Sequence, residues 1–313
     1  MMTDNIAFVF PGQASQEVGM GQTLVEKYPV AREIFEQADD VLDFSLSRLC
    51  FAGPADDLND TFNTQPAIFV TSIAALEALK AAGYDVTPNY VAGHSLGEYT
   101  AYVAAGVMSF ADGLRLVRER GRLMKKAGEV NPGSMAAIIR LDDDAVAKIC
   151  QDVMAGDIGT LQLANYNSPG QVVISGHNAA VDRGIELAQA AKAKKVAKLP
   201  ISIASHSDLM RVITDEFREA INNTPLNLPE RPIVANITAR PLDSLEAIRE
   251  EMEGQLTSPV RWTDSVRWMI EQGITEFVEI GPKKVLSSLI RRIDKGVNTH
   301  NIGTPKSIEA FIS

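Results

Sequence analysis

Cysteine is scarce: Cys50 and Cys150 are the only two in 313 residues. Two such distant cysteines give no disulfide framework and no zinc spacing. The four histidines, His94, His177, His206 and His300, are equally scattered and show no metal-ligand spacing, so no bound metal or cofactor is expected. Aromatic residues make up 6% of the chain. Small residues take their place, and the Ala-rich tracts 72–82 and 100–105 read as closely packed helices. No run approaches the ~20 consecutive apolar residues that span a bilayer. The opening Met1-Met2-Thr3-Asp4-Asn5 carries no basic run, and the apolar tract Ile6–Phe10 is too short for a signal peptide. A cytoplasmic protein without membrane association is expected. Positive charge is also in short supply: 30 Lys and Arg face 40 Asp and Glu, a formal net charge of −10. That balance argues against general nucleic-acid binding, which rests on neutralising phosphates. A local basic patch for an anionic ligand or an acidic partner remains compatible with it.

What is present suits a soluble globular protein, with 45% hydrophobic and 22% charged residues and length enough for a large core. Ile6–Phe10 reads as a buried strand ending at Pro11-Gly12, and Tyr90–Ala92 as a second strand ending at Gly93. Helices are expected over Gln65–Lys80 with Pro66 in the first turn, over Leu96–Ala105, and over Phe110–Lys126 with Ser109 and Asp112 as a capping pair. This alternation indicates an α/β parallel sheet. The middle differs. Ser134–Arg140, Leu161–Tyr166, Val172–Ser175 and Lys195–Leu199 read as strands, with helices over Asp142–Met154 and Ala179–Lys194. The β-α-β-β-α-β order is that of a ferredoxin-like unit. An inserted subdomain is therefore expected at 130–198, within a discontinuous α/β domain formed by 1–129 and 199–313. Beyond it, strands are expected at Ile233–Asn236 and Phe277–Ile280, and helices at Ser244–Leu256 and Val260–Gln272.

Gly93-His94-Ser95-Leu96-Gly97 lies between a strand and a helix. Gly-x-Ser-x-Gly in that setting is a nucleophile elbow, in which the glycines permit a sharp turn that exposes the serine oxygen. The following helix N-terminus offers free N–H groups to an oxyanion. Ser95 is thus the candidate nucleophile of acyl transfer; the bland alternative is a tight turn with an inert serine. A serine nucleophile needs a base. His94 adjoins Ser95, but neighbouring side chains at an elbow point apart. His177 reads as a turn or cap residue, and His300 lies in a polar tail. His206, in Ile203-Ala204-Ser205-His206-Ser207, sits where the inserted unit rejoins the main domain, and is preferred over the reading of a merely hydrogen-bonded loop histidine.

Arg120 is the most informative charge. Its i±3 and i±4 neighbours are Leu116, Val117, Leu123 and Met124, which places it on the buried face of its helix. Arg115, Arg118 and Arg122 have mostly polar neighbours and read as solvated. A guanidinium among apolar side chains requires an anion: either an internal Asp or Glu, or a substrate carboxylate held in bidentate fashion.

Taken together, Phe10-Pro11-Gly12-Gln13, Gly93 through Tyr99, Arg120 through Met124, Asn167 through Gly176, Ser205-His206, Gln255 through Trp262 and Glu279-Ile280-Gly281-Pro282 resemble the malonyl-CoA:acyl-carrier-protein transacylases, in order and over nearly the whole chain. The resemblance implies a hydrolase-like α/β domain with an inserted ferredoxin-like subdomain and an active site between them. It implies that Ser95 attacks a malonyl thioester, that His206 takes its proton, and that the backbone N–H groups of Gln13 and Leu96 form the oxyanion hole. Arg120 would hold the malonyl carboxylate, with Gln65 and Met124 lining the same site. The backbone carbonyl of Gln255 would orient His206, a role independent of its side chain. Coenzyme A enters as the thioester substrate, acyl carrier protein is the implied partner, and no bound cofactor is implied. Ala14 stands where the family commonly has glycine, next to the oxyanion loop, so a restricted loop is expected there; Lys283 likewise stands where a glycine is common. The carrier protein is expected to be acidic, which makes Lys192, Lys194, Lys195 and Lys198, or Lys283, Lys284, Arg291 and Arg292, candidate contacts. No apolar surface stripe asks for a second subunit, and a monomer is expected.

Three other readings share parts of this evidence. A discrete acyltransferase of a polyketide or malonate-decarboxylase system would use the same chemistry with another carrier or acyl group. A serine hydrolase or thioesterase needs the elbow but not Arg120. A non-enzymatic carrier-binding module would never carry an acyl group on Ser95.

Overall fold

The computed structural model describes residues 5–84 and 86–313; residues 1–4, which contribute to the targeting argument, lie outside the described residues. In chain order the strands are β1 (Ile6–Phe10), β2 (Tyr90–Gly93), β3 (Gly133–Ile139), β4 (Leu161–Ser168), β5 (Gln171–His177), β6 (Lys195–Lys198), β7 (Ile233–Val234), β8 (Pro241–Leu242), β9 (Glu276–Ile280) and β10 (Asn298–Ile302).

β1 is buried along its whole length, and its unbroken apolar sequence is that of a strand covered on both faces. It lies at the centre of a six-stranded sheet ordered β10-β9-β1-β2-β7-β8. All pairs are parallel except the β7–β8 hairpin. Phe10 pairs with Gly93, so β1 and β2 end at the same level. That register sets the Pro11-Gly12-Gln13 loop beside the Ser95 turn, at the carboxyl ends of parallel strands, where open α/β sheets place their ligand sites. β10 departs from the sequence reading: Asn298–Ile302 is not a tail but a strand pairing with β9. It is an edge strand, so polar residues are tolerated and hide it from a hydropathy pattern.

The second sheet runs β4-β5-β3-β6, antiparallel throughout. Helices Asp143–Ala155 and Asn178–Ala190 pack against it over a separate core that includes Ile138, Val146, Leu161, Ile174 and Val181. This is the ferredoxin-like arrangement. The two units are stitched together: Tyr166 N donates to Val260 O at 2.9 Å and Val260 N to Ala164 O at 2.8 Å. Thr263 Oγ1 donates to Tyr166 O at 3.0 Å, and His94 Nε2 meets Asn167 Oδ1 at 2.8 Å.

One helix starts earlier than expected. It spans Thr61–Ala81, because Asp60 caps it by accepting from Phe62 N at 3.0 Å. Pro66 is therefore inside the helix, where it removes the N–H that would bond to Phe62 O. Arg118 takes over: its Nη1 donates to Phe62 O at 2.8 Å and to Asn63 Oδ1 at 2.7 Å. Its guanidinium lies 3.1 Å from the Phe62 ring centroid and 4.7 Å from that of Phe44. Arg118 is thus half-buried rather than solvated, since the carbonyl freed by Pro66 needs a donor.

Candidate active site

The elbow follows from sterics. A Cβ on Gly93 would lie 1.9 Å from Gly97 C, and one on Gly97 would lie 2.0 Å from Phe10 O. Only glycines allow the strand, turn and helix to pass this closely beneath β1. Ser95 itself sits at φ 52°, ψ −103°, outside the helical region, immediately before the helix Leu96–Ala104. This strained conformation is supported from below: Ser95 N donates to Asn236 Oδ1 at 2.7 Å. The Leu96 N–H opens the helix and has no intrahelical acceptor. Gln13, Ser95, Leu96, Arg120, Met124 and His206 all line one cleft of about 470 Å³.

Ser95 Oγ lies 2.8 Å from His206 Nε2. On the other side of the ring, Nδ1 lies 2.9 Å from Gln255 O and 3.1 Å from Ser258 O. Two backbone carbonyls therefore require the proton on Nδ1, leaving Nε2 free to accept from Ser95. The second carbonyl, that of Ser258, escaped the sequence reading. Burial, with Arg120 nearby, pushes the His206 pKa down to about 3. The imidazole is thus neutral at physiological pH. His94 is turned away onto Asn167, and His177 Nδ1 accepts from Thr160 N at 3.0 Å. His300 pairs with Glu276 at 2.9 Å.

Arg120 is 1% exposed and, among the described residues, lies within 4 Å of no carboxylate. Its partners are neutral. Nη1 donates to Gln65 Oε1 at 2.8 Å and Met124 Sδ at 3.3 Å, while Nη2 donates to Gln255 Oε1 at 2.8 Å and Ser95 Oγ at 3.0 Å. Its Nε has no partner. Gln65 and Met124, placed here by resemblance alone, do converge on the guanidinium. Gln255 does more than expected. Besides lending its carbonyl to His206, it uses its side chain: Nε2 donates to Ser95 O at 3.0 Å and to Glu98 Oε2, and Oε1 accepts from Arg120.

Ala14 takes the positive φ of a glycine, 85°, and so does Lys283, at 58°. The Ala14 N–H donates to Gln16 Oε1 at 2.8 Å, and Lys283 Nζ donates to Gln16 O at 2.8 Å. Both positions therefore hold a conformation that glycine adopts more readily, at the cost of some backbone strain. Glu279 has a structural task. Its carboxylate accepts from Leu286 N, Ser287 N and Ser287 Oγ, capping the helix Val285–Ile293. A larger hollow of about 600 Å³, lined by Glu17, Lys283 and Lys284 among others, lies beside that helix. Among the described residues no histidine lines it, whereas the smaller cleft brings Ser95 and His206 together.

No group of three or more potential metal ligands occurs among the described residues, and none of their helices is long and apolar enough to cross a membrane. The family model described as an acyl transferase domain matches residues 7–304. The malonyl CoA-acyl carrier protein transacylase of Bacillus subtilis is 41% identical over 307 residues, 98% of this chain and 96% of that protein. An acyl carrier protein S-malonyltransferase from Vibrio cholerae, solved by crystallography, superposes with a TM-score of 0.94 at 41% identity, covering 98% of this chain and 99% of that one. A malonyl-transacylase solved in complex with its type II polyketide acyl-carrier protein gives 0.94 at 38% identity, covering 98% of each chain. On the acyl transferase domain match and these nearly full-length relatives, the chain belongs to the malonyl CoA-acyl carrier protein transacylase family of acyltransferases.

Proposed function

We propose that this enzyme moves a malonyl group from coenzyme A to the phosphopantetheine thiol of an acyl carrier protein, through a malonyl ester on Ser95, in support of fatty acid synthesis. The observation that carries this reading is the buried Arg120, which has only neutral partners and donates to the Ser95 oxygen. A guanidinium so placed is an unmet cation beside a nucleophile, and an acyl group with a free carboxylate meets it.

The steps follow from the geometry. Ser95 Oγ attacks the thioester carbonyl while its proton passes to His206 Nε2. The Leu96 and Gln13 backbone N–H groups receive the oxyanion, each such donor contributing roughly 3–4 kcal/mol to barrier lowering. The C–S bond breaks, and the imidazolium returns the proton to the departing coenzyme A thiolate. The carrier thiol then enters, gives its proton to His206, and attacks the Ser95 ester. Ser95 Oγ leaves and recovers the proton. The His206 ring stays oriented by the Gln255 and Ser258 carbonyls, so no acidic third residue is required. Arg120 neutralises the malonyl carboxylate while negative charge develops nearby, and disfavours acyl chains that leave it unpaired.

We place the inserted subdomain at 130–198 and the catalytic domain at 1–129 and 199–313, with the cleft between them. We also place the protein in the cytoplasm as a monomer that needs no bound cofactor, nucleic acid or membrane. For the acidic carrier, Lys192, Lys194, Lys195 and Lys284 form no ion pair among the described residues, whereas Lys198 is held by Asp182. The superposition on a polyketide-system transacylase supports one second reading, in which the same chemistry serves a polyketide carrier. Incubation with malonyl-CoA and intact-protein mass spectrometry test the proposal. One malonyl group should appear on the wild-type chain, on the peptide containing Ser95, and none on Ser95→Ala. Arg120→Ala should lose on the order of 10²–10³-fold in kcat/KM for malonyl-CoA. Unmodified wild-type protein would overturn the reading, and retained malonyl activity in Arg120→Ala would favour a hydrolase. Competition between fatty-acid and polyketide carrier proteins separates the two carriers.

A further inference from the structure

Beneath the elbow lies a carboxyl pair that the proposed steps do not use. Glu98 is fully buried and Glu251 nearly so. Glu98 Oε1 accepts from Asn236 N at 2.8 Å and Asn236 Nδ2 at 3.0 Å, and its Oε2 accepts from Gln255 Nε2. Asn236 in turn receives the Ser95 N–H and donates to Gly93 O at 2.7 Å. Gln255 presents its amide oxygen to Arg120.

We propose that Glu98 is a positioning residue for recognition of the acyl carboxylate: its Oε2, which accepts from Gln255 Nε2, fixes the Gln255 amide with Nε2 inward and Oε1 toward Arg120. An amide has one donor end and one acceptor end, and its orientation is decided by what it faces. Glu98 and Ser95 O both face Nε2, so the oxygen must point at the guanidinium. That bond holds Nη2 beside Ser95 Oγ, in place for the acyl chain's far end. The inference rests on the roles proposed above for Ser95 and Arg120.

The groups facing Glu98 are Glu251, Arg120, Tyr99 and Tyr102. Burial holds Glu98 well above the ordinary carboxylate range, with Glu251 adding to it, and burial raises Glu251 to about 7. Two carboxyls so close and so buried keep one proton between them at neutral pH. Both oxygens of Glu98 accept N–H donors, and Glu251 Oε1 accepts from Ile237 N at 2.9 Å, so the Asn236 and Gln255 bonds stand whichever carboxyl carries the shared proton.

Glu98→Gln is the discriminating variant. Its amide oxygen can still take both Asn236 donors, so the Ser95 turn survives. Its new NH₂ faces Gln255 Nε2, however, and only Ser95 O still favours the native amide orientation. Single-turnover acylation with malonyl-CoA and with acetyl-CoA reads the effect, because acetyl has no carboxylate for Arg120. The ratio of malonyl to acetyl acylation should fall by about tenfold or more, mainly through a weaker malonyl-CoA KM. Gln255→Met, which keeps the backbone carbonyl on His206 but removes the amide, should lower the ratio in the same direction, and answers for Glu98→Gln should that variant not fold. A ratio left unchanged, or two activities falling in parallel, would mean a merely structural carboxylate and overturn the inference alone. A wild-type enzyme that takes no malonyl would overturn the reading of the site, and the inference with it.

Discussion

Ser95 Oγ stands between an imidazole and a guanidinium, 2.8 Å from His206 Nε2 and 3.0 Å from Arg120 Nη2. Arg120 donates to the serine oxygen and, from the same position, helps to lower the His206 pKa. In the proposed mechanism a malonyl carboxylate on Arg120 cancels that charge as the imidazolium forms. The pH dependence of the free enzyme should therefore be unusual for a histidine base. Because burial and Arg120 lower the His206 pKa to about 3, the reactive neutral form persists as pH falls. Acylation kcat/KM, measured by rapid quench between pH 5 and 7, should lack an inflection near the ordinary histidine value of about 6.5. An inflection there would mean a solvated base. Ala14 supports a second residue-scale prediction. Its φ of 85° is a conformation that glycine adopts freely and alanine does not. Ala14→Gly should stabilise the protein by about 1 kcal/mol, seen in calorimetry as a Tm rise of ~1–2 °C.

At the scale of elements, the helix Thr61–Ala81 carries Gln65 to Arg120 in spite of an internal proline. Arg118 repairs the gap by donating to Phe62 O. Arg118→Ala leaves that carbonyl short of a partner and should cost about 1–3 kcal/mol of stability. It should also raise the malonyl-CoA KM, since Gln65 lies one turn from the repaired carbonyl; thermal melts and steady-state kinetics check both. The legibility of the sequence divides along the same line. The elbow, the β-α-β-β-α-β order and the apolar setting of Arg120 are local patterns, and local patterns survive in sequence. Asn236, Ser258 and Glu98 reach the site only because distant segments converge there. Glu98 is visible in the motif, but its task depends on Gln255 and Asn236, far away in the chain. β10 was hidden by the polarity that an edge strand tolerates. Gln255 was placed by resemblance for its carbonyl, and the work of its side chain emerged only with its neighbours in view.

On the scale of the whole molecule, the site is a seam between two sheets. Backbone bonds at Val260 and the His94–Asn167 contact hold the ferredoxin-like unit against the main sheet. His94, the histidine nearest to Ser95 in sequence, is thus a strut rather than a base. The seam matters because an acyl ester exposed to water is lost to hydrolysis. Asn167→Ala should loosen it and raise the ratio of malonyl-CoA hydrolysis to carrier transfer severalfold, measured as free malonate against malonyl-carrier. An unchanged ratio would place water exclusion elsewhere.

Gln255 joins the two halves of the chemistry within a single residue, its carbonyl on the base and its amide on the arginine. Redesign toward uncharged acyl groups meets that coupling directly. Replacing Arg120 alone strands an amide oxygen inside the protein and unsettles the peptide that holds His206. A productive redesign changes positions 98, 120 and 255 as one set, and libraries that vary the arginine by itself should return mostly slow enzymes rather than enzymes of new specificity.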